Sequence, residues 1–115
     1  MENTIATRIY DFLKDYPPFN LLDAEQLKVY CSKVVVQYYK PQQSIFQQGE
    51  QPGKHIYVVR EGAVHLFREQ GKETTLIDEC DEGDTFGIRP ILAQQPYALT
   101  ARTEEESLIY AIPAD

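Results

Sequence analysis

The placement of the glycines constrains the fold of this chain more than any other feature of its sequence. All six glycines fall between short segments that are rich in β-branched and aromatic residues, which strands favour. These segments predict strands over residues 34–39, 55–60, 63–68, 74–77, 99–102 and 107–112. We expect Glu61-Gly62 to form a hairpin turn between the second and third of them. Many short strands separated by turn residues are typical of a β-barrel or a β-roll.

Residues 1–33 precede the first predicted strand and form a helical lead. Apolar residues recur at helical spacing over residues 4–16, which predicts an amphipathic helix that Pro17 ends. Asp23 and Gln26 have the spacing of a capping box, so a second short helix is expected to begin there. Its inward face is predicted to consist of Leu27, Tyr30 and Cys31. The chain is therefore expected to be mainly β with N-terminal helices.

Length and charge limit what this chain can do. Its 115 residues suffice for one domain with a hydrophobic core, so residues 1–115 are predicted to form a single domain. The formal net charge is −7, and both signs are spread along the chain. This charge distribution argues against nucleic-acid binding by residues 1–115, because binding to nucleic-acid phosphates needs a clustered basic face. No apolar run approaches the roughly 20 residues that cross a bilayer, and the first residues lack a secretory signal. We expect a cytoplasmic protein with no membrane partner.

Residues 86–101 read FGIRPILAQQPYALTA. This stretch resembles the phosphate-binding cassette of cyclic nucleotide-binding domains, which runs Phe-Gly-Glu-x-Ala-Leu, a short spacer, and Pro-Arg-Ala-Ala-Thr-Val. Three further segments resemble the turn that opens the family's roll, its glycine-centred hairpin and its approach to the cassette: residues 45–50, 56–64 and 82–87. The resemblance covers about residues 19–112. It implies a double-stranded β-helix, a jelly-roll-like β-roll over residues 34–115, that carries a short cassette helix.

The family's two charged cassette contacts are absent from this sequence. In the family, the cassette Glu holds the ribose hydroxyl and the Arg pairs with the cyclic phosphate, and the matching positions here are Ile88 and Tyr97. Losing two charge-assisted bonds of roughly 1.5–3 kcal/mol each weakens binding by about 10²- to 10⁴-fold. Ile88 also leaves a buried ribose hydroxyl without an acceptor. Tight binding of cyclic AMP or cyclic GMP in the family's usual pose is therefore not expected.

The candidate ligand-binding residues all lie in the cassette. Gly87 lets the backbone come close to an anion, and Pro90 suits the first turn of a helix whose free N–H groups would face that anion. Arg89 either supplies an anion contact or is a solvated or ion-paired surface residue. Tyr97 either contacts a phosphate or a base, or fills an empty pocket as an aromatic lid. The full candidate set is Phe86, Gly87, Ile88, Arg89, Tyr97, Ala98, Leu99 and Thr100.

No pattern in the sequence supports catalysis or a bound cofactor. His55 and His65 lie on adjacent predicted strands, which raises the alternative of a cupin-like metal enzyme. Two histidines alone cannot supply the three or four ligands that such a site needs. The acidic run over residues 78–82 is interpreted as a solvated turn. We predict no catalytic residue, no metal and no cofactor, and expect that the chain is not an enzyme.

The resemblance implies a regulatory ligand-sensing domain that signals in cis to a downstream domain. Its expected ligand is a nucleotide or phosphorylated metabolite other than the family's usual one. The alternative is a ligand-free interaction scaffold whose pocket is filled by Ile88, Tyr97 and their neighbours.

The resemblance also bears on the rest of the protein. In the family, lid helices normally follow the roll, and the sequence stops at Asp115 without them. We therefore expect a fragment of a longer chain, and a homodimer only in the full-length protein. The cassette is most similar to that of the N-terminal sensor domain in bacterial signal-transduction proteins with paired CBS domains and a nucleotidyltransferase-like domain.

Overall fold

Eight strands form two four-stranded antiparallel sheets in the computed structural model, which describes residues 4–114. The strands are β1 (Val35–Tyr39), β2 (Ser44–Phe46), β3 (His55–Glu61), β4 (Val64–Gln70), β5 (Glu73–Cys80), β6 (Thr85–Phe86), β7 (Thr100–Thr103) and β8 (Ser107–Pro113). The first sheet has the order β1-β8-β3-β6, and the second has the order β2-β7-β4-β5. The prediction of a mainly β, jelly-roll-like β-roll is confirmed.

The predicted hairpin at Glu61-Gly62 is wrong, although both of its strands are present. β3 pairs with β6 and β8 in the first sheet, whereas β4 pairs with β5 and β7 in the second. Gly62 has a φ of +102°, and a Cβ built on it would overlap the side chain of Ser107. The chain therefore changes sheets at this glycine. Local composition identifies the two strands but does not reveal which sheet each one joins.

Three α-helices accompany the sheets, α1 (Thr4–Leu13), α2 (Ala24–Cys31) and α3 (Ile88–Ala93), together with a short 3-10 helix over Phe19–Leu21. α1 ends three residues earlier than predicted, because the N–H of Tyr16 turns back to the carbonyl of Leu13 at 3.0 Å ahead of Pro17. The capping box before α2 is confirmed, since Asp23 accepts from the N–H of Gln26 at 2.8 Å. No helix among residues 4–114 is long and apolar enough to span a membrane.

The core consists of two apolar clusters on opposite faces of the first sheet. α1 and α2 bury Ile9, Leu13, Leu27 and Cys31 against alternate residues of β3 and β8, such as Val58 and Ile112. The other alternation of the same strands faces the second sheet, and contributes Val59 and Ile109. Because both faces of β3 and β8 are covered, residues 56–59 and 108–112 within these strands read as continuous apolar runs.

Strand limits differ from the sequence prediction where the pattern is weakest. β5 is Glu73–Cys80, twice as long as the predicted strand over residues 74–77. β2 and β6 were not predicted as strands, since they have only three and two residues. The acidic run over residues 78–82 is a turn only in its second half, because residues 78–80 belong to β5.

Candidate functional site

A cavity of about 750 Å³ lies between the cassette and the wall that β4 and β5 form. It is lined by Phe46, Leu66, Ile77, Asp78, Thr85, Phe86, Gly87, Ile88, Arg89, Pro90, Ala93, Gln95, Pro96, Tyr97, Ala98 and Leu99. The lining includes every candidate residue from the sequence except Thr100. Thr100 is buried, and its hydroxyl accepts the backbone N–H of Gln48 at 3.0 Å. The structure therefore brings the cassette together around an open space.

The cassette helix α3 begins directly after a glycine in the left-handed region. Gly87 has a φ of +84°, and a Cβ built on it would lie 3.1 Å from the ring of Tyr57. A larger residue would strain the backbone and press on this ring. α3 has only six residues, so its dipole alone does not create an anion site.

Two neighbouring residues at the start of α3 give the cavity its chemistry. Ile88 is half-buried and lines the cavity at the position where the family has its Glu, so this wall presents methyl groups instead of an acceptor. Arg89 is exposed, lines the same cavity, and forms no ion pair with any carboxylate among residues 4–114. The ion-paired alternative for Arg89 is thus not seen in the described part of the chain.

Tyr97 is held in the cavity wall by the loop between β2 and β3. Its ring is stacked on Phe46 with centroids 3.9 Å apart and planes 11° apart. Its hydroxyl accepts the N–H of Gly53 at 3.1 Å. Its backbone N–H donates to Glu50 O at 2.9 Å, and its carbonyl accepts the N–H of Gly49 at 2.8 Å. The ring is buried, and the cavity beside it stays open.

The sequence analysis did not predict that β5 supplies one wall of the cavity. Ile77 and Asp78 are consecutive residues, yet both line the cavity. A regular strand would send them to opposite faces. The β4–β5 pairing shifts register between Leu66 and Phe67, which face Asp78 and Leu76, so Ile77 is an extra, bulged residue. The only sequence signal was the position of Asp78 two residues before the apolar Cys80.

The interior next to the cavity is uncharged. Burial raises the pKa of the Cys80 thiol to about 12, and the nearby carboxylate of Asp78 adds to this effect. Burial also raises the pKa of Tyr57 to about 12, with smaller contributions from Tyr97 and other neighbours. Both groups are therefore neutral at physiological pH, and Asp78 and Arg89 are the charged side chains among the described lining residues.

The histidines considered in the sequence lie away from this cavity. His65 places Nδ1 3.3 Å from Glu104 and Nε2 3.9 Å from Glu79. Its two nitrogens thus face different carboxylates and do not share one centre with them. Within residues 4–114, no group of three or more His, Cys, Asp or Glu side chains is arranged to hold a metal ion.

A family model described as "Cyclic nucleotide-binding domain" matches residues 36–115. The chain belongs to this family. The match begins at the second residue of β1 and includes the whole cassette, so the features that carry the sequence resemblance are also those that surround the cavity. Regulatory domains of this type are typically non-catalytic.

Among curated proteins, the chain is similar to a cGMP-dependent protein kinase of Eimeria tenella, with 30% identity over 104 residues. The alignment covers 90% of this chain and 10% of that kinase. A cGMP-dependent protein kinase of Toxoplasma gondii is 29% identical over 101 residues, with the same 10% of its length covered. The chain thus spans about a tenth of the curated relatives that it matches.

Solved structures of the family share the fold. The regulatory domain of Toxoplasma gondii PKA, crystallised with cAMP, has a TM-score of 0.89 and 19% identity, covering 96% of this chain and 42% of that one. The regulatory subunit of a cAMP-independent protein kinase A from Trypanosoma cruzi, bound to guanosine, has a TM-score of 0.84 and 21% identity, covering 96% and 41%. These relatives do not support the narrower resemblance to bacterial sensors with CBS domains.

Proposed function

We propose that this chain is a regulatory ligand-sensing domain whose cavity binds a nucleotide or phosphorylated metabolite in a pose other than the family's usual one. The observation that carries the proposal is the open cavity of about 750 Å³, which the cassette lines and where Arg89 forms no ion pair with any of residues 4–114. The proposal treats residues 1–115 as one domain, with a helical lead over 1–33, a β-roll over 34–115 and a cassette over 86–101.

Arg89 is the group proposed to bind the ligand's anion. The chain carries a net charge of −7, so an anion approaching it needs a local cation to offset the repulsion. Arg89 is the cation among the described lining residues. Its guanidinium can pair with two phosphate oxygens at once, which gives a charge-assisted contact at a position one residue after the family's Glu.

The usual pose of cyclic AMP or cyclic GMP is disfavoured by two side chains. Ile88 offers no acceptor for a ribose hydroxyl. The hydroxyl of Tyr97 already accepts from Gly53, and its ring is stacked on Phe46. A phosphate in the usual position would therefore meet an aromatic wall in place of a guanidinium.

The names of the relatives support a regulatory role in a longer protein. The matched kinases are about ten times longer than the aligned segment, which fits a domain that signals in cis. The Trypanosoma cruzi subunit is described as cAMP-independent and bound to guanosine, which supports a ligand other than cyclic AMP on this fold. The downstream domain stays a hypothesis, with the kinase arrangement and the bacterial CBS-pair arrangement as two versions of it. Cytoplasmic location and a homodimer in the full-length protein also stay predictions.

The scaffold alternative requires a filled pocket. Tyr97 and Ile88 both contribute to the cavity wall, and neither occupies the cavity. The open cavity therefore favours the ligand-binding hypothesis over the scaffold.

The proposal is tested by thermal unfolding of this chain with cyclic AMP, cyclic GMP, AMP, GMP, adenosine, guanosine and inorganic phosphate at millimolar concentration. A ligand at 100 times its Kd adds about 2.7 kcal/mol, a shift of several degrees for a domain of this size. We expect a shift with at least one linear nucleotide that Arg89→Ala abolishes. The matched control is Arg68→Ala, because Arg68 is exposed on β4 and does not line the cavity.

Two outcomes would overturn the proposal. A shift at micromolar cyclic AMP or cyclic GMP would show that the usual pose survives without the Glu and Arg contacts. No shift with any probe, in this chain and in the full-length protein, would establish the scaffold alternative.

A further inference from the structure

A carboxylate lies on the inner face of β5, where the strand lines the cavity. Asp78 is paired directly with Leu66, and Cys80 is paired with Val64 two residues further along. Leu66 packs on the core between the sheets, and Val64 and Cys80 are buried in it. Because cross-strand partners share a face, Asp78 is on the interior face of the sheet, in line with buried residues.

The bulge at Ile77 accounts for this position. Leu66 pairs with Asp78 and Phe67 pairs with Leu76, which leaves Ile77 without a partner of its own. An extra residue in a strand re-aims the side chains next to it. Both Ile77 and Asp78 consequently line the cavity, so the bulge places one apolar group and one acceptor side by side on its wall.

The described part of the chain gives Asp78 little to bind. Its Oδ1 accepts the N–H of its neighbour Glu79 at 2.9 Å. Among residues 4–114 it forms no ion pair, and Arg89 is not within 4.0 Å of it. Asp78 is exposed to solvent at the open side of the cavity, so its remaining acceptor positions are accessible to water or to a ligand. The wall therefore carries acceptor capacity that the protein itself leaves largely unused.

We infer that Asp78 accepts hydrogen bonds from N–H or O–H groups of the ligand, in place of the acceptor lost at Ile88. This inference rests on the proposed function, because it concerns the same cavity. Together with Arg89, it narrows the ligand to a molecule with one anionic group and, at a distance from it, a cluster of donors. A nucleoside monophosphate has this chemistry, since guanine and adenine carry amino donors and ribose carries hydroxyl donors.

The role of Asp78 as an acceptor is distinguishable from a purely electrostatic one by the sign of a mutational effect. A carboxylate that acts only through its charge repels an anionic ligand, so Asp78→Ala would tighten binding. If instead the carboxylate accepts hydrogen bonds from the ligand, Asp78→Ala removes those bonds. We therefore expect this variant to bind at least about tenfold more weakly. Asp78→Asn keeps one acceptor oxygen and removes the charge, so we expect an intermediate affinity.

The experiment is calorimetric titration of GMP, AMP, guanosine and adenosine into the wild-type chain, Asp78→Ala, Asp78→Asn and Arg89→Ala. Glu73→Ala is the matched control, because it removes one exposed carboxylate from the same strand outside the cavity. An unfolding transition like that of Glu73→Ala checks that each Asp78 variant is folded. We expect Asp78→Ala to weaken the nucleoside as well as the nucleotide, and Arg89→Ala to weaken the nucleotide alone.

The outcomes separate this inference from the proposed function. If a nucleotide binds and depends on Arg89, but Asp78→Ala binds equally well or more tightly, the inference is wrong and the proposed function stands. If none of the four probes binds the wild-type chain or its full-length parent, the inference is wrong, and the wider panel of the unfolding test decides the proposed function. A loss in Glu73→Ala equal to that in Asp78→Ala would also overturn the inference, because the effect would then be one of overall charge.

Discussion

Replacing Tyr97 with phenylalanine tests whether this residue belongs to the wall of the cavity. The change removes one hydrogen bond, from the N–H of Gly53 to the phenolic oxygen at 3.1 Å, and keeps the ring stacked on Phe46. A hydrogen bond between neutral groups contributes about 1 kcal/mol net. We therefore expect the free energy of unfolding in urea to fall by about 1 kcal/mol, and the Tm to fall by about 4 °C.

The ring contact is measured separately by a double-mutant cycle. Tyr97→Leu and Phe46→Leu, alone and combined, should give a coupling energy of about 0.5–1.5 kcal/mol, because the stacked rings have an attraction beyond the area that they bury. Tyr30→Phe is the control, since the Tyr30 hydroxyl makes no hydrogen bond within residues 4–114. If Tyr97→Phe is as stable as Tyr30→Phe and the coupling is zero, the ring is not held in this wall.

Two further predictions concern the roll itself. Gly62→Ala should lower the free energy of unfolding by about 2–5 kcal/mol, because it adds left-handed backbone strain and an overlap with Ser107. Gly71→Ala, where φ is +60° and no atom lies within 4 Å, should cost only about 1–2 kcal/mol. Equal losses for the two variants in urea melts would contradict the close contact between Gly62 and Ser107. Burial raises the pKa of Cys31 to about 11 and that of Cys80 to about 12, from a usual 9.0, so the folded state holds these protons more tightly than the unfolded state. The thiol contribution to stability should therefore be fully present below pH 9 and fall above it, by at most about 1.4 kcal/mol per pH unit for each thiol. Urea melts at pH 8, 9 and 10 should show this slope. A variant with alanine at both cysteines should show a clearly smaller fall, which comes from the buried Tyr57, whose pKa is also raised, to about 12.

Local patterns predicted the elements of this fold well, and its sheet pairing poorly. The capping box at Asp23 is a contact between residues three apart, so four letters of sequence specify it. The sheet change at Gly62 depends on Ser107, which lies 45 positions away. Nothing in the neighbourhood of Glu61-Gly62 distinguishes a hairpin turn from a crossing between sheets. The resemblance of the whole chain to a family supplied the β-roll that local reasoning could not.

The candidate site was likewise predicted where it depends on local sequence and missed where it depends on strand pairing. Seven of the eight candidate residues line the cavity, because they are consecutive parts of one cassette. The β5 wall was missed because its contribution depends on a bulge, and a bulge is a property of the pairing between two strands. The sequence analysis interpreted Asp78 as part of an acidic turn. In the structure its pairing with Leu66 directs it toward the cavity. Long-range register, which the sequence pattern does not contain, thus decides which acid belongs to the site.

Tyr97 connects the loss of the phosphate contact to the presence of the open cavity. The sequence left two roles for its ring, contact with a ligand or closure of an empty pocket. Turning this ring into the cavity would break the bond between its hydroxyl and Gly53 and its stack on Phe46, while the main-chain bonds to Gly49 and Glu50 hold the backbone beside the wall. The hydrogen bond and the stack contribute roughly 0.5–1.5 kcal/mol each, so together they oppose closure by about 1–3 kcal/mol. The residue that replaces the family's arginine therefore also keeps the cavity open, and any anion that enters has to be met by another cation, which the cassette provides at Arg89.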